Sequence, residues 1–496
     1  VARLAASLAR PCKALQILYN EVTLRPHAGR AGYALTGAPG CGGVRHSTGA
    51  KMSEPSLDAV RRDQAGWIFL HIEGEPYDRG EQHGQLLAAE IRNAIRTARY
   101  LARWDTGEDF DTFVEAAVAQ FGSKLDTEFA DEIQGIADGA KLPFAEVLAW
   151  NGYMDLLQSW WPAHVAQMKP GLGLKPWRGR RGHHCSAFIA TGHATHDGRI
   201  VMAHNSWDRY AAGDAFNVVF DIVPDQGNRI LMQGLPGCIS SLTDFWITAA
   251  GLMVTETTIS NFVGYNAAGA PEFYRSRRAS QYANSIGEWC EMFAIANNGG
   301  YANSWLLGDT KTGEIARYEL GLHYSGFEST KDGFYSGYNT ATDLKIRNQE
   351  CIGEGEDYTD VRKNGARRLR FMQLEEMHRG KIDVELAKAM IADHHDVYLD
   401  RNDNPCSRTI CGHLELDDAR FGGSDHGPFN PWGANDGKVA DSEMARDLAF
   451  SARWGHPCGR PFDAQAFMKR HPQWNWLNGY MRDRPSWPWT RFEALR

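Results

Sequence analysis

Cys185 opens a strand-like run, CSAFIAT, directly after the stretch WPAHVAQMKPGLGLKPWRGRRGHH at 161–184. That stretch is rich in Pro, Gly and basic residues and reads as an exposed linker without periodicity. A thiol at a strand edge beside a cleavable linker suits one kind of chemistry. Cleavage between His184 and Cys185 would free an α-amine on the nucleophile's own residue. Such an amine titrates near about 7.7–8.0, so it can take the thiol proton without a separate histidine base. Taken alone, a cysteine opening a strand is more simply a buried structural thiol.

The following segment adds partners. A turn at His196-Asp197-Gly198 returns the chain at Ala203–Asp208, so antiparallel pairing brings His204, Asn205, Trp207 and Asp208 to the Cys185 end. His204 and Asn205 are then expected to hydrogen-bond and orient the α-amine. The run from Asn297 to Trp305 forms a second polar knot before a strand. An Asn side-chain amide from this run, aimed at a developing oxyanion, would stabilise acyl transfer by about 2.7–4 kcal/mol. The plainer reading is a turn capped by Asn and Gly. Thr257 and Thr258, after Glu256, end another strand; they supply site contacts or pair across a sheet. Arg275, Arg277 and Arg278 are candidates for support, with a solvated helix face as the simpler account.

The elements that position these residues follow from periodicity. Residues 66–72 read as a strand, and 79–104, 109–120, 126–139 and 143–160 as helices. From Cys185 the character changes to strands: CSAFIAT, RIVMAHN, NVVFDIV, RILMQG, FWITAA and LMVTETT. Helices return at 275–296, a hairpin turns at Lys311–Gly313, and 362–379 and 384–396 read as helices. The last hundred residues, rich in Gly, Pro and Trp, read as long ordered loops. Helices, then a sheet-rich half, then helices give an α+β fold with one shared core.

Composition narrows the function classes. With 43% hydrophobic and 23% charged residues the chain is globular. A net charge of -8 and no basic stripe argue against a nucleic-acid partner. No apolar run is long enough for an integral membrane segment. Residues 1–51 carry seven Lys or Arg against the single acid Glu21. They read as a leader or an extension outside the fold, with Met52 as the expected start. The nine cysteines are scattered and form no disulfide framework. Cys406 and Cys411 are placed to pair, with His413 close by; a second ligand pair for zinc is not evident, so no metal and no cofactor is expected.

The segments HHCSAFIATG and GRIVMAHNSWDRY resemble the nucleophile hairpin of the phospholipase B-like family, within the N-terminal-nucleophile hydrolases. The likeness continues through LPGCISSLTDFWITAAGLMVTETTI, EWCEMFAIANNGGYANSWLLGD and PWGANDGKVADSEMARDLAFSARWGHPCG. Upstream, GEPYDRGEQHGQLLAAEI and EIQGIADGA are similar both to this family and to the penicillin acyltransferase-like group. The resemblance spans roughly residues 66 to 490.

It implies a four-layer αββα sandwich built from a helical fragment, 52–184, and a sheet-rich fragment, 185–496, which stay associated after autocatalytic cleavage. It implies Cys185 as nucleophile, with His204, Asn205 and Trp207 around it and Asn303 as oxyanion donor. Asp208, Thr257, Thr258 and Trp305 are expected in supporting or substrate contacts. The implied reaction is hydrolysis of acyl esters of glycerophospholipids; cleavage or transfer of acyl amides is the alternative. A non-catalytic binding relative is a further reading, which the intact Cys185 and its polar neighbours oppose. A papain-like enzyme would place its cysteine at a helix start, not a strand. The family's eukaryotic members are secreted or lysosomal. This sequence shows neither a signal segment nor an Asn-x-Ser/Thr acceptor, so the compartment stays unassigned.

Overall fold

The structure, a computed structural model of the chain, describes residues 59–168, 185–353, 356–421 and 427–495. All of them belong to one unit, residues 54–496. The expected leader at 1–51, Met52, His184 and most of the linker, 169–184, lie outside the described residues.

Seventeen strands run along the described chain. They are β1 (Val60–Gln64), β2 (Trp67–Gly74), β3 (Ser186–Gly192), β4 (Gly198–Asn205), β5 (Trp207–Arg209), β6 (Val218–Pro224), β7 (Ile230–Gly234), β8 (Phe245–Thr248), β9 (Leu252–Thr258), β10 (Asn303–Asp309), β11 (Glu314–Leu320), β12 (Ser325–Thr330), β13 (Gly333–Gly337), β14 (Trp432–Ala434), β15 (Asp436–Asp441), β16 (Ala449–Trp454) and β17 (Thr490–Glu493). A nine-stranded sheet has the order β1-β2-β6-β7-β8-β9-β10-β11-β12, and a six-stranded sheet the order β13-β3-β4-β15-β16-β17. The pair β14-β5 stands apart. Within the large sheet β2 and β6 run parallel.

Alternation along the strands explains how the sheets pack. Ala187, Ile189, Ile200, Met202, Ala440 and Phe450 of the small sheet share one buried cluster with Phe69, Val219, Leu231, Ile247, Met253 and Leu306 of the large one. The opposite face of the large sheet, with Leu70, Phe220, Val254 and Trp305, packs against the helices before Met168 and those at Glu272–Tyr282 and Ile286–Ala294. The opposite face of the small sheet, with Phe188, Val201, Ala203 and Val439, packs against helices Asn364–His378 and Val384–Ile391. The fold is α+β, as the order of elements implied.

Two expectations need correction. Residues 161–168 are not linker: Trp161–Met168 is a helix, entered through a π-helical turn at Asp155–Trp160. Pro162 therefore follows a stretch where the i−4 ladder is already broken, and its missing N–H does little harm. The last hundred residues are not only loops. They supply β15, in the middle of the small sheet, with β16 and β17 beside it.

Candidate active site

Cys185 immediately precedes β3 and is buried. The hairpin register sets Ser186 opposite Asn205 and Ala187 opposite His204. Asn205 Oδ1 accepts from the Ser186 N–H and from Trp207 Nε1, each at 3.0 Å. Its amide nitrogen donates to the carbonyls of Ile391 and Ile410. Asn205 thus braces the start of the strand on the face that meets the C-terminal helices. The returning hairpin brings Asn205 and Trp207 to the start of β3.

The contact to the Cys185 main-chain nitrogen is different from the expected one. The Cys185 N–H donates to Asn339 Oδ1 at 2.6 Å, and that Asn in turn donates to the Thr258 carbonyl at 2.8 Å. Arg367 completes the arrangement. Its guanidinium donates to the Cys185 carbonyl, to Asn339 Oδ1 at 3.0 Å and to Asn364 Oδ1 at 2.8 Å, and it lies 4.6 Å over the Trp207 ring. Burial pulls its pKa down to about 9, which leaves it charged at neutral pH. Asn339 and Arg367 lie 154 and 182 residues from Cys185 in sequence. No spacing pattern could have pointed to them. Arg275 and Arg277 are elsewhere: both are buried in helix Glu272–Tyr282, not on a solvated face. Arg277 pairs with Glu132 at 2.9 Å, and Arg275 donates to the Phe293 carbonyl. Arg278 approaches Asp126 at 3.4 Å.

The thiol faces charged groups. Burial pushes the Cys185 thiol up to about 12, the Asp244 carboxylate adds to this, and Lys438 opposes it. At neutral pH the thiol is therefore protonated. Lys438, buried in β15, donates to Ser206 Oγ at 2.7 Å and to the Thr243 carbonyl at 3.0 Å, and pairs with Asp436 at 3.0 Å. Burial lowers the Lys438 pKa and the Asp436 carboxylate offsets part of that. Tyr301 Oη lies 3.0 Å from Asp244 and 3.2 Å from Glu256. Burial and the neighbouring Asp244 raise Glu256 well above the usual carboxylate range. Asp244 itself has φ +63°, a left-handed backbone that is uncommon for a non-glycine residue and is held only where the surroundings fix it.

The remaining expected residues divide. His204 lies in β4 beside Lys438 in register; burial and that ammonium hold its pKa well below the ordinary imidazole range. It does not hold the Cys185 nitrogen and remains a neutral ring. Asn303, opposite Thr258 in register, has both amide atoms buried and without a hydrogen bond. An unsatisfied buried amide is costly, and such groups call for an explanation. The Thr257 and Thr258 hydroxyls are likewise buried without partners. Trp305 packs against Trp246, Trp289 and Phe293 at ring separations of 5.6, 5.0 and 4.9 Å, so it is core and not a substrate contact. Asp208 contributes to the wall of a narrow apolar cleft with Leu101, Trp150, Tyr153, Phe216 and Leu235.

Cysteine placement also departs from expectation. Cys406 sits by Asp396, and Cys411 lies instead with Cys458, His413 and His394. The fold thereby gathers two thiols and two imidazoles that spacing did not bring together. Among the described residues no helix is long and apolar enough to cross a membrane.

Comparison with known proteins covers this same region. Residues 107–321 match the family model for phospholipase B. A phospholipase B from Crotalus adamanteus is 30% identical over 307 residues, covering 55% of this chain and 52% of that protein. An uncharacterized protein of Archaeoglobus fulgidus is 26% identical over 249 residues, 47% of this chain and 40% of that protein. Phospholipase B-like 1 of Rattus norvegicus is 32% identical over 170 residues, 32% of this chain and 29% of that protein. The chain spans about half the length, or less, of the curated relatives it matches. The matched stretch contains Cys185, the returning hairpin and Asn303, and over it the chain is similar to the phospholipase B family.

Proposed function

We propose that this chain is a self-processed lipid hydrolase that cleaves acyl esters of glycerophospholipids through an acyl-enzyme on Cys185. The observation that carries the reading is the 2.6 Å bond from the Cys185 main-chain nitrogen to Asn339 Oδ1. After cleavage before Cys185 that nitrogen becomes an α-amine, already held by an acceptor beside its own thiol. The thiol is inert while buried and protonated; the neutral amine then supplies the base it lacks. The two packed sheets with helices on their outer faces suit the αββα sandwich of N-terminal-nucleophile hydrolases. The two fragments stay together through the shared large sheet.

The acyl-transfer steps follow from the groups present. The amine takes the Cys185 proton and the sulfur attacks the ester carbonyl. The orphaned Asn303 amide is the donor for the resulting oxyanion. The amine proton passes to the departing alcohol, and water then releases the fatty acid by the same path in reverse. The relatives named phospholipase B supply the substrate class, and the narrow apolar cleft with Asp208 in its wall is the acyl groove of this reading. Once it opens, its walls suit an alkyl chain.

Denaturing electrophoresis with intact-mass analysis tests the processing: two fragments meeting at 184/185 are expected, and a single chain from Cys185→Ala. That variant should also lose all hydrolysis of a phospholipid panel. Full activity in Cys185→Ala would overturn the reading, and turnover of N-acyl amides in place of phospholipids would reassign the substrate.

A further inference from the structure

Cys411, His413, Cys458 and His394 each offer one ligand atom, and these atoms all lie within 4.8 Å of one another. Cys411 and His413 are fully buried, in the loop between helix Val384–Ile391 and β14; Cys458 follows β16. From the set of two sulfurs and two imidazole nitrogens we infer that the protein holds a structural zinc ion here.

The geometry matches the ion. Zinc takes thiolates at about 2.3 Å and imidazole at about 2.0–2.1 Å, so a tetrahedral site has S···N edges of roughly 3.6 Å. His413 Nε2 lies 3.2 Å from Cys411 Sγ and 3.5 Å from Cys458 Sγ. One ring nitrogen midway between two thiols can satisfy only one of them by hydrogen bonding; a cation satisfies all. The second shell is also in place. His413 Nδ1 is bonded to Glu415 at 2.8 Å, which fixes the tautomer that leaves Nε2 free to ligate. His394 Nδ1 lies 3.2 Å from Asp403, and its Nε2 is buried without a hydrogen bond.

His456 is the competing ligand, with His413 and Glu415. Both its ring nitrogens are in use, Nε2 with Tyr210 Oη and Nδ1 with the Arg460 carbonyl, each at 2.8 Å. Binding through the four chosen ligands releases two thiol protons. The resulting Zn(Cys)2(His)2 centre is neutral, which suits a buried position. All four positions are filled by protein, so the ion is structural and not a Lewis acid for substrate.

The ion would fasten the loop that follows helix Val384–Ile391 to the segment after β16, behind Trp207. The Trp207 ring shares a buried cluster with Cys411, Leu414 and Trp432 and lies against Gly412, where an added Cβ would meet it at 2.3 Å. Through Trp207 Nε1 this support reaches Asn205 and the start of β3.

Metal analysis of the full chain, expressed in zinc-replete medium and purified without chelator, reads the inference directly and independently of any activity. About one zinc per chain is expected, with two sulfur and two nitrogen neighbours in its X-ray absorption spectrum. Cys458→Ser and His394→Ala should each lose the ion. If either variant fails to fold, zinc released from the wild-type chain by a mercurial thiol reagent gives the same reading. A metal-free protein with Cys411 and Cys458 as free thiols would overturn the site. So would a Cys411–Cys458 disulfide found by non-reducing peptide mapping, or zinc retained in folded Cys458→Ser.

Discussion

Asn339 Oδ1 receives two donors at once, the Cys185 nitrogen and the Arg367 guanidinium. A hydrogen bond to a group that carries charge contributes about 1.5–3 kcal/mol, so removing this acceptor should slow turnover by roughly ten- to hundredfold. Asn339→Ala is therefore expected to lower kcat and to slow self-cleavage, with little change in KM. Steady-state kinetics and a time course of fragment appearance would measure both, and Asn339→Asp, which keeps an acceptor, should recover part of the loss. An unchanged kcat would remove Asn339 from the site. Legibility at this scale followed chain distance. Asn205 and Trp207 were visible because a short turn returns them to Cys185. Asn339 and Arg367 were not, since only the finished fold brings β13 and helix Asn364–His378 to the start of β3. Trp305 misled because a core indole and a substrate contact look alike in sequence.

Among the elements, strands from 185 to 258 were readable from β-branched and aromatic runs between turn signals. β15 was not, because its sequence, DGKVAD, carries Asp436 and Lys438 at buried positions where a strand normally places apolar side chains. Those charges pair with each other and with Ser206 and Gln233, so polarity there marks a buried network and not a loop. The helices Pro76–Leu86 and Thr127–Ala140 show another device. A Cβ on Gly80 would meet the Glu132 carbonyl at 2.1 Å, and one on Gly135 the Tyr77 carbonyl at 2.1 Å. These glycines let two backbones touch. Gly135→Ala should force the helices apart and cost about 1–3 kcal/mol, as overpacking does. Chemical denaturation would register this as a lower midpoint; an unchanged midpoint would mean that the pair separates freely.

For the whole molecule, helices from before and after Cys185 that cover the same face of the large sheet are tied by buried charge. Glu132 lies between Arg79 at 2.8 Å and Arg277 at 2.9 Å, with all three side chains out of solvent. Burial alone would raise the Glu132 carboxyl, but Arg277 and Arg79 overcome it and hold the pKa low. A carboxyl depressed in the folded state stabilises fully above its unfolded value, about 4.3, and that contribution is lost as pH falls through the folded value. Melting temperature should therefore fall on acidification below about pH 4, with a shallower acid limb in Glu132→Gln. Glu132→Gln should also cost roughly 3–5 kcal/mol at neutral pH, since two guanidinium groups lose their counter-charge. Thermal melts across pH would reveal a contrary result as equal acid limbs.

The parallel pairing of β2 with β6 joins strands from either side of the proposed cleavage point into one sheet. A chain cut before Cys185 would thus be a heterodimer made from one gene product. Its precursor can find β6 with β2 at the tether's high local concentration; the severed pieces, once unfolded, would have to meet by diffusion. Maturation would turn a reversible, unimolecular folding problem into a bimolecular one, and the mature protein would persist through slow unfolding more than through ready refolding.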